Sequence, residues 1–214
     1  MDIVYADNYI VVCTKPFGVL STDEPGGLPG LLREKLGTEN IRTVHRLDRV
    51  VGGLMLLART RHAASDLGKQ VMERGIAKEY LAVVEGCPEE KRGSMRDYLR
   101  RDKKERRTYA LPDPGPDTQE ALLDYGVLES RGGLSALRIR LHTGRTHQIR
   151  AQLSSRGLPI VGDRKYGSGG EGDIALWSCR LGFDHPKTGE SMDFFLPPPD
   201  TYPWNEFECF KEKR

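Results

Sequence analysis

Two short segments of this chain hold the residue types that do nucleophilic or acid–base work. The first is Val44-His45-Arg46-Leu47-Asp48-Arg49, followed by Gly52-Gly53. A carboxylate next to two arginines stays ionised at neutral pH, as a nucleophile or a charge partner must. If the tetrad His45 to Asp48 is extended, Arg46 and Asp48 lie two residues apart and share a strand face. The double glycine lets the chain turn sharply or admits another backbone. On spacing alone, a surface salt bridge at a strand end is the better reading.

The second segment is Leu141-His142-Thr143-Gly144-Arg145-Thr146-His147-Gln148-Ile149-Arg150. It reads as a strand, a glycine and a helix, with Arg145 at the helix start. A cation there opposes the helix dipole, which implies a nearby acid or phosphate. Thr143, Thr146, His147 and Gln148 supply short polar groups for orientation. His142 and His147 have no third ligand at a usable spacing, so no metal site is expected. Two further segments are less specific. Gly157 to Gly167 sets Asp163 and Tyr166 in a glycine-flanked loop. Lys78-Glu79-Tyr80 opens an apolar strand, where Tyr80 is either a core tyrosine or a ring that stacks on a base.

The elements that must position these residues follow from periodicity. Strands are expected at 3–6, 9–14, 44–47, 54–59, 80–84, 121–128, 134–141, 177–183 and 192–196. Helices are expected at 28–36, closed by Gly37, at 62–74 before Gly75, and at 146–156 before Gly157. Strands outnumber helices and many look hairpin-joined. That predicts an α+β fold with a mixed, largely antiparallel sheet, flanking helices and a central active-site cleft. Residues 1–214 read as a single domain. The Pro-, Gly- and Asp-rich loop at 111–118 is the expected meeting point of two lobes, and 167–172 reads as a flexible loop.

Composition narrows the function classes. The chain has 214 residues, 37% hydrophobic and 30% charged, with a net charge of +2. No apolar run approaches the ~20 residues that cross a bilayer as a helix, and no signal peptide is visible. A cytoplasmic protein without a membrane partner is expected. Cys13, Cys87, Cys179 and Cys209 form no paired spacing and read as idle thiols. Residues 91–107 hold nine basic residues against three acids, a local charge of +6. Such a run attracts polyanions; a solvated surface hairpin is an equal reading.

Taken together, the motifs resemble those of the RluA-type family of pseudouridine synthases. The family's His-Arg-Leu-Asp tetrad is His45 to Asp48 here. Its Lys-x-Tyr strand is Lys78-Glu79-Tyr80, and its Thr-Gly-Arg-x-His-Gln-Ile-Arg segment is Thr143 to Arg150. The Gly-x-Pro-Ile-x-Gly-Asp-x-x-Tyr-Gly run is Gly157 to Gly167. The Lys15-Pro16-Phe17-Gly18 turn and the Leu181 to Glu190 stretch fit as well, all in the family's order. One departure stands out. The family usually continues after the aspartate with an acid, Thr, Ser and Gly, whereas this chain has Val50-Val51-Gly52-Gly53.

The resemblance implies an isomerase that breaks the C–N glycosidic bond of a flipped-out uridine, rotates the uracil and rejoins it at C5. Asp48 would start cleavage, by attack or by deprotonation. Arg145 would hold that carboxylate ionised, and Tyr80 would lie against the uracil ring. Arg46 would fill the gap left by the flipped base or bond its neighbours. His45, Thr146, His147 and Gln148 would line the substrate site. Nothing is oxidised or hydrolysed overall, so no cofactor is implied. The partner is RNA, ribosomal or transfer, with no obligate protein partner. No separate N-terminal RNA-binding module is expected, so Arg100, Arg101, Lys103 and Lys104 become the candidate RNA contacts. The altered loop after Asp48 motivates an alternative, a catalytically weak RNA-binding or RNA-folding protein on the same scaffold. A metal-independent phosphoesterase built on Asp48 and His45 is a third reading, without a visible dyad to support it.

Overall fold

The computed structural model describes residues 1–169 and 172–211. Two positions of the expected 167–172 loop, Gly170 and Glu171, lie outside that set. The chain forms two units, Met1–Lys78 with Trp177–Leu196, and Glu79–Leu176 with Pro197–Arg214.

In the first unit, β1 (Ile3–Ala6) and β2 (Ile10–Lys15) form an antiparallel hairpin. The Asp7 carboxylate closes its turn by accepting the Tyr9 and Ile10 N–H groups. β2 pairs antiparallel with β4 (Gly52–Ala58), and β3 (Arg42–Thr43) pairs with the end of β4. β10 (Leu176–Asp184) runs parallel to the start of β4, and β11 (Ser191–Phe195) pairs antiparallel with β10. The sheet is therefore mixed.

Both faces of this sheet are covered. Helix α1 (Leu28–Leu36) sets Leu28 and Leu32 against Val11, Cys13, Met55 and Leu57. Helix α2 (Arg61–Met72) sets Ala63 and Leu67 against Ile10, Val12, Leu54 and Leu56. Double coverage explains why the whole of β4 is buried and its sequence is a continuous apolar run rather than an alternating one. Gly37 takes the left-handed conformation that ends α1.

The second unit is built on β5 (Ala77–Glu85), β6 (Arg92–Asp102), β7 (Arg107–Leu111), β8 (Thr118–Arg131) and β9 (Leu134–Leu141), in the order β5-β9-β8-β6-β7. Leu137 and Ile139 are buried while Arg138 and Arg140 are exposed, as a half-buried strand requires. Helix α3 (Gln148–Ser154) is shorter than the expected 146–156. Tyr166, together with Ala151 of α3, packs against Leu99 and Ala121 of the sheet. The Pro-rich stretch near 111–118 connects β7 to β8 inside this unit, and the chain passes between units elsewhere. Two 3-10 turns, Trp204–Glu206 and Glu208–Phe210, follow the last strand and pack Trp204, Phe207 and Phe210 together. No described helix is long and apolar enough to cross a membrane.

Candidate active site

The tetrad is not a strand. Residues 44–51 form an irregular connection between β3 and β4. The reason is that one side of β4 is already occupied. β3 bonds that side at Leu57 and Ala58, and β10 takes it at Gly52 and Gly53. Only residues 54–56 lie between them on that side, and there the Leu56 N–H bonds the His45 side chain instead of a strand. The expectation that Arg46 and Asp48 share a strand face therefore does not apply.

Side chains from elsewhere fix this irregular segment instead. Ser21, buried, donates to the Leu47 carbonyl at 2.6 Å and accepts the Leu47 N–H at 3.0 Å, so one hydroxyl holds a whole residue. The Lys15 ammonium, fully buried, donates to the carbonyls of Pro16, Val19 and Arg49 at 2.8, 2.7 and 3.2 Å. A buried ammonium is tolerated only when bonded in this way. Burial pushes Lys15 down to about 8, and the Asp48 carboxylate acts against that shift. Arg49 Nε returns a bond to the Gly18 carbonyl at 2.8 Å. Asp48, half-buried, thus sits between two residues whose backbones are clamped. Its own carbonyl accepts the Val51 N–H at 3.0 Å. Val51 is buried and Val50 is 42% exposed, so the unusual pair closes a turn with one residue in the core.

His45 is placed differently from expectation. It is 8% exposed, and its Nε2 accepts the Leu56 N–H of β4 at 3.1 Å. Burial, with the Lys78 charge nearby, pushes its pKa down to about 3. A neutral ring spent on β4 is a wall residue rather than a surface that meets substrate. Arg46 is exposed. Of the two uses open to the double glycine, close approach is the one found. A Cβ on Gly52 would lie 2.7 Å from the Trp177 ring, and one on Gly53 would lie 2.3 Å from the Ser178 carbonyl oxygen.

The second segment is held by itself. The Gln148 Oε1 accepts from the Thr143 hydroxyl at 2.9 Å and from the Arg145 N–H at 3.0 Å. Its Nε2 donates to the Leu122 carbonyl at 3.2 Å. Arg145 precedes α3 instead of opening it, and its Nε donates to the Glu120 carbonyl at 3.0 Å. The conflict with the helix dipole therefore does not arise. His147 caps α3 with φ 56, a left-handed conformation unusual for a residue with a side chain. Gln148 is buried and acts as a brace, whereas Thr146 accepts a bond from exposed Arg101 at 3.2 Å. His142 is engaged by Asp124 at 2.6 Å. Hydrogen bonds from Ser94 and His142 hold the Asp124 carboxyl below its ordinary range. Tyr80 lies on β5 and is 6% exposed. Asp48 belongs to the first unit, Tyr80 and Arg145 to the second.

The basic run is the β6–β7 hairpin. Asp102 closes its tip by accepting the Lys104 and Glu105 N–H groups. Arg100, Arg101, Lys103 and Lys104 are exposed. Sequence reasoning overlooked Ser21 and the burial of Lys15. A lysine at a strand end beside a proline was visible, but only the fold shows that three carbonyls surround it.

Residues 8–155 match the family described as RNA pseudouridylate synthase. The chain belongs to this family, in its RluA-type branch, and is an RNA pseudouridine synthase, an isomerase. It is 34% identical to the uncharacterized RNA pseudouridine synthase YlyB of Bacillus subtilis, over 94% of this chain and 70% of that protein. It is 32% identical to the ribosomal large subunit pseudouridine synthase D of Pseudomonas aeruginosa, over 95% of this chain and 70% of that one. The solved structure of human RNA pseudouridylate synthase domain containing 1 covers 97% of this chain, with 86% of its own length matched, a TM-score of 0.81 and 26% identity. The expected α+β fold with a mixed sheet is the fold of these proteins.

Proposed function

We propose that this chain converts specific uridines of ribosomal or transfer RNA to pseudouridine in the cytoplasm, with Asp48 as the reacting carboxylate. The observation that carries the reading is the double clamp on its backbone. Ser21 fixes Leu47 and Lys15 fixes the Arg49 carbonyl, so a half-buried carboxylate is presented from an immobilised loop. Such preorganisation is what a group that attacks one atom of a bound base requires. Relatives named for the large ribosomal subunit favour ribosomal RNA as the substrate.

The target base must leave its stack to be reached, at a cost of a few kcal/mol. Asp48 then starts cleavage of the C–N bond, by attack or by deprotonation. By the family's motifs, Arg145 takes the part of the arginine that partners the aspartate, and Tyr80 that of the ring that faces the uracil. Arg46 and Thr146 contact the RNA around the flipped base, and His147 holds the loop that carries Arg145. Arg100, Arg101, Lys103 and Lys104 hold the phosphate backbone through a salt-sensitive contact. The reaction is an isomerisation, so neither a redox cofactor nor a hydrolytic water is consumed.

The test is Asp48→Asn. Unmodified ribosomal and transfer RNA are incubated with each protein, and new pseudouridines are mapped by base-selective adducts and reverse-transcription stops. The variant is expected to fold and to lose activity by about a thousandfold or more, the scale of removing a covalent or acid–base group. Turnover near that of the parent would remove Asp48 from the chemistry.

A further inference from the structure

The basic hairpin and the segment carrying Arg145 are joined by a residue pair, Lys165-Tyr166, for which the proposed chemistry has no use. Lys165 Nζ donates to the carbonyls of Glu105 and Arg106 at the hairpin tip, at 3.2 and 2.9 Å. The Thr108 N–H of β7 donates to the Tyr166 hydroxyl oxygen at 2.8 Å. That same oxygen lies 2.9 Å from His147 Nδ1, and the two rings meet edge to face with centroids 5.7 Å apart. One phenol oxygen therefore bonds both a hairpin strand and the residue that caps α3. His147 is left-handed there, with φ 56, two residues after Arg145. A residue with a side chain keeps that conformation only when its surroundings hold it.

Tyr166 is in turn held firmly. It is 3% exposed. The guanidiniums of Arg107 and Arg150 lie over its ring at 4.9 and 5.0 Å. Arg150 forks the Asp163 carboxylate at 2.7 and 2.8 Å, an ion pair that is itself buried. The phenol cannot swing away while these contacts stand, so a displacement of β7 reaches His147 through one oxygen. Arg101, bonded to Thr146, adds a second link at the exposed rim.

The geometry points to Tyr166 as a positioning residue that couples the RNA-holding hairpin to the Arg145 segment, acting through His147. The inference rests on the roles proposed above for the hairpin and for Arg145. RNA seated on the hairpin fixes β7. β7 fixes the Tyr166 hydroxyl through Thr108, and that hydroxyl holds His147 and with it the path of the chain at Arg145. Tyr166 touches no substrate in this scheme. Its removal should slow the isomerisation step without weakening RNA binding.

Tyr166→Phe tests this, because it keeps the ring and its guanidinium contacts and removes only the hydroxyl. The full chain is assayed on unmodified ribosomal RNA under single-turnover conditions at saturating protein, with RNA affinity read by fluorescence anisotropy. The rate is expected to fall about tenfold, the scale of a small misplacement at a reacting group, while the dissociation constant stays within about twofold. Lys165→Met, a change at a half-exposed side chain, should lower the rate about threefold at unchanged affinity. Rates within about twofold of the parent in both variants would overturn the coupling, as would rate and affinity falling together. If Tyr166→Phe does not fold, Lys165→Met decides by the same two criteria. A parent protein that forms no pseudouridine would overturn the reaction itself, a result distinct from failure of the coupling.

Discussion

The two segments that carry the proposed site differ in how far they brace themselves. Residues 44–53 have almost no regular structure of their own. They are clamped mainly by groups far along the chain, Lys15 and Ser21 before them and Trp177 and Ser178 more than a hundred positions on, with the adjoining Leu56 bonding His45. Residues 143–150 are braced partly from within, by Gln148 bonding Thr143 and Arg145, and partly by β8 and Tyr166, through Glu120, Leu122 and the Tyr166 hydroxyl. A loop held by distant buried groups is rigid only while those groups keep their burial and protonation state. A loop that also braces itself through Gln148 keeps part of its shape without such groups. The first should therefore be the more sensitive to substitution and to acid.

The sharpest way to break that contrast is Gly53→Ala. The new methyl would lie 2.3 Å from the Ser178 carbonyl oxygen at a backbone φ of +114. A loss on the order of 3–5 kcal/mol is expected, from strain and steric clash together, read by urea denaturation. A loss below about 1 kcal/mol would mean that β10 does not constrain this segment as described.

Acid should come next. The His45 pKa falls from 6.5 to about 3 on folding, because burial disfavours the charged ring. The unfolded chain then takes up a proton below 6.5 that the native chain refuses, so this contribution to stability is complete above 6.5 and is lost as the pH falls toward 3. The slope approaches about 1.4 kcal/mol per pH unit, or about 2 kcal/mol by pH 5. In His45→Gln, whatever its stability at pH 7, the drop between pH 7 and pH 5 should shrink by about that amount. An identical drop in both proteins would place the acid sensitivity elsewhere.

The smallest effect should fall on the second segment. Gln148→Leu removes a side chain that bonds Thr143, Arg145 and Leu122. It is expected to cost about 1–2 kcal/mol, measured by thermal melting with the single-turnover rate followed in parallel. A cost exceeding that of Gly53→Ala would reverse the comparison.

Much of the secondary structure was legible in the residues. The helix at 28–36 was signalled by its closing glycine, Gly37, a feature that acts within a few residues. The strands 134–141 and 177–183 followed from alternation or an apolar run bounded by turn residues. The tetrad was misread as a strand because β-pairing depends on whether a partner edge is free. The edge of β4 was taken by β3 and by β10, the latter over a hundred residues away. The start of α3 was misplaced because His147 adopts a left-handed conformation that its residue type does not announce.

The order and identity of the motifs alone determined the family, since they recur in register along most of the chain and need no tertiary contact to be read. Only the tertiary structure decided what each motif residue is spent on. His45 turned out to be a buried clamp on β4, Lys15 a hub for three carbonyls, and Gly52-Gly53 a place of close approach instead of a bend. Burial and hydrogen-bond partners come from chain segments distant in sequence, and residue types by themselves do not encode which of those segments will arrive.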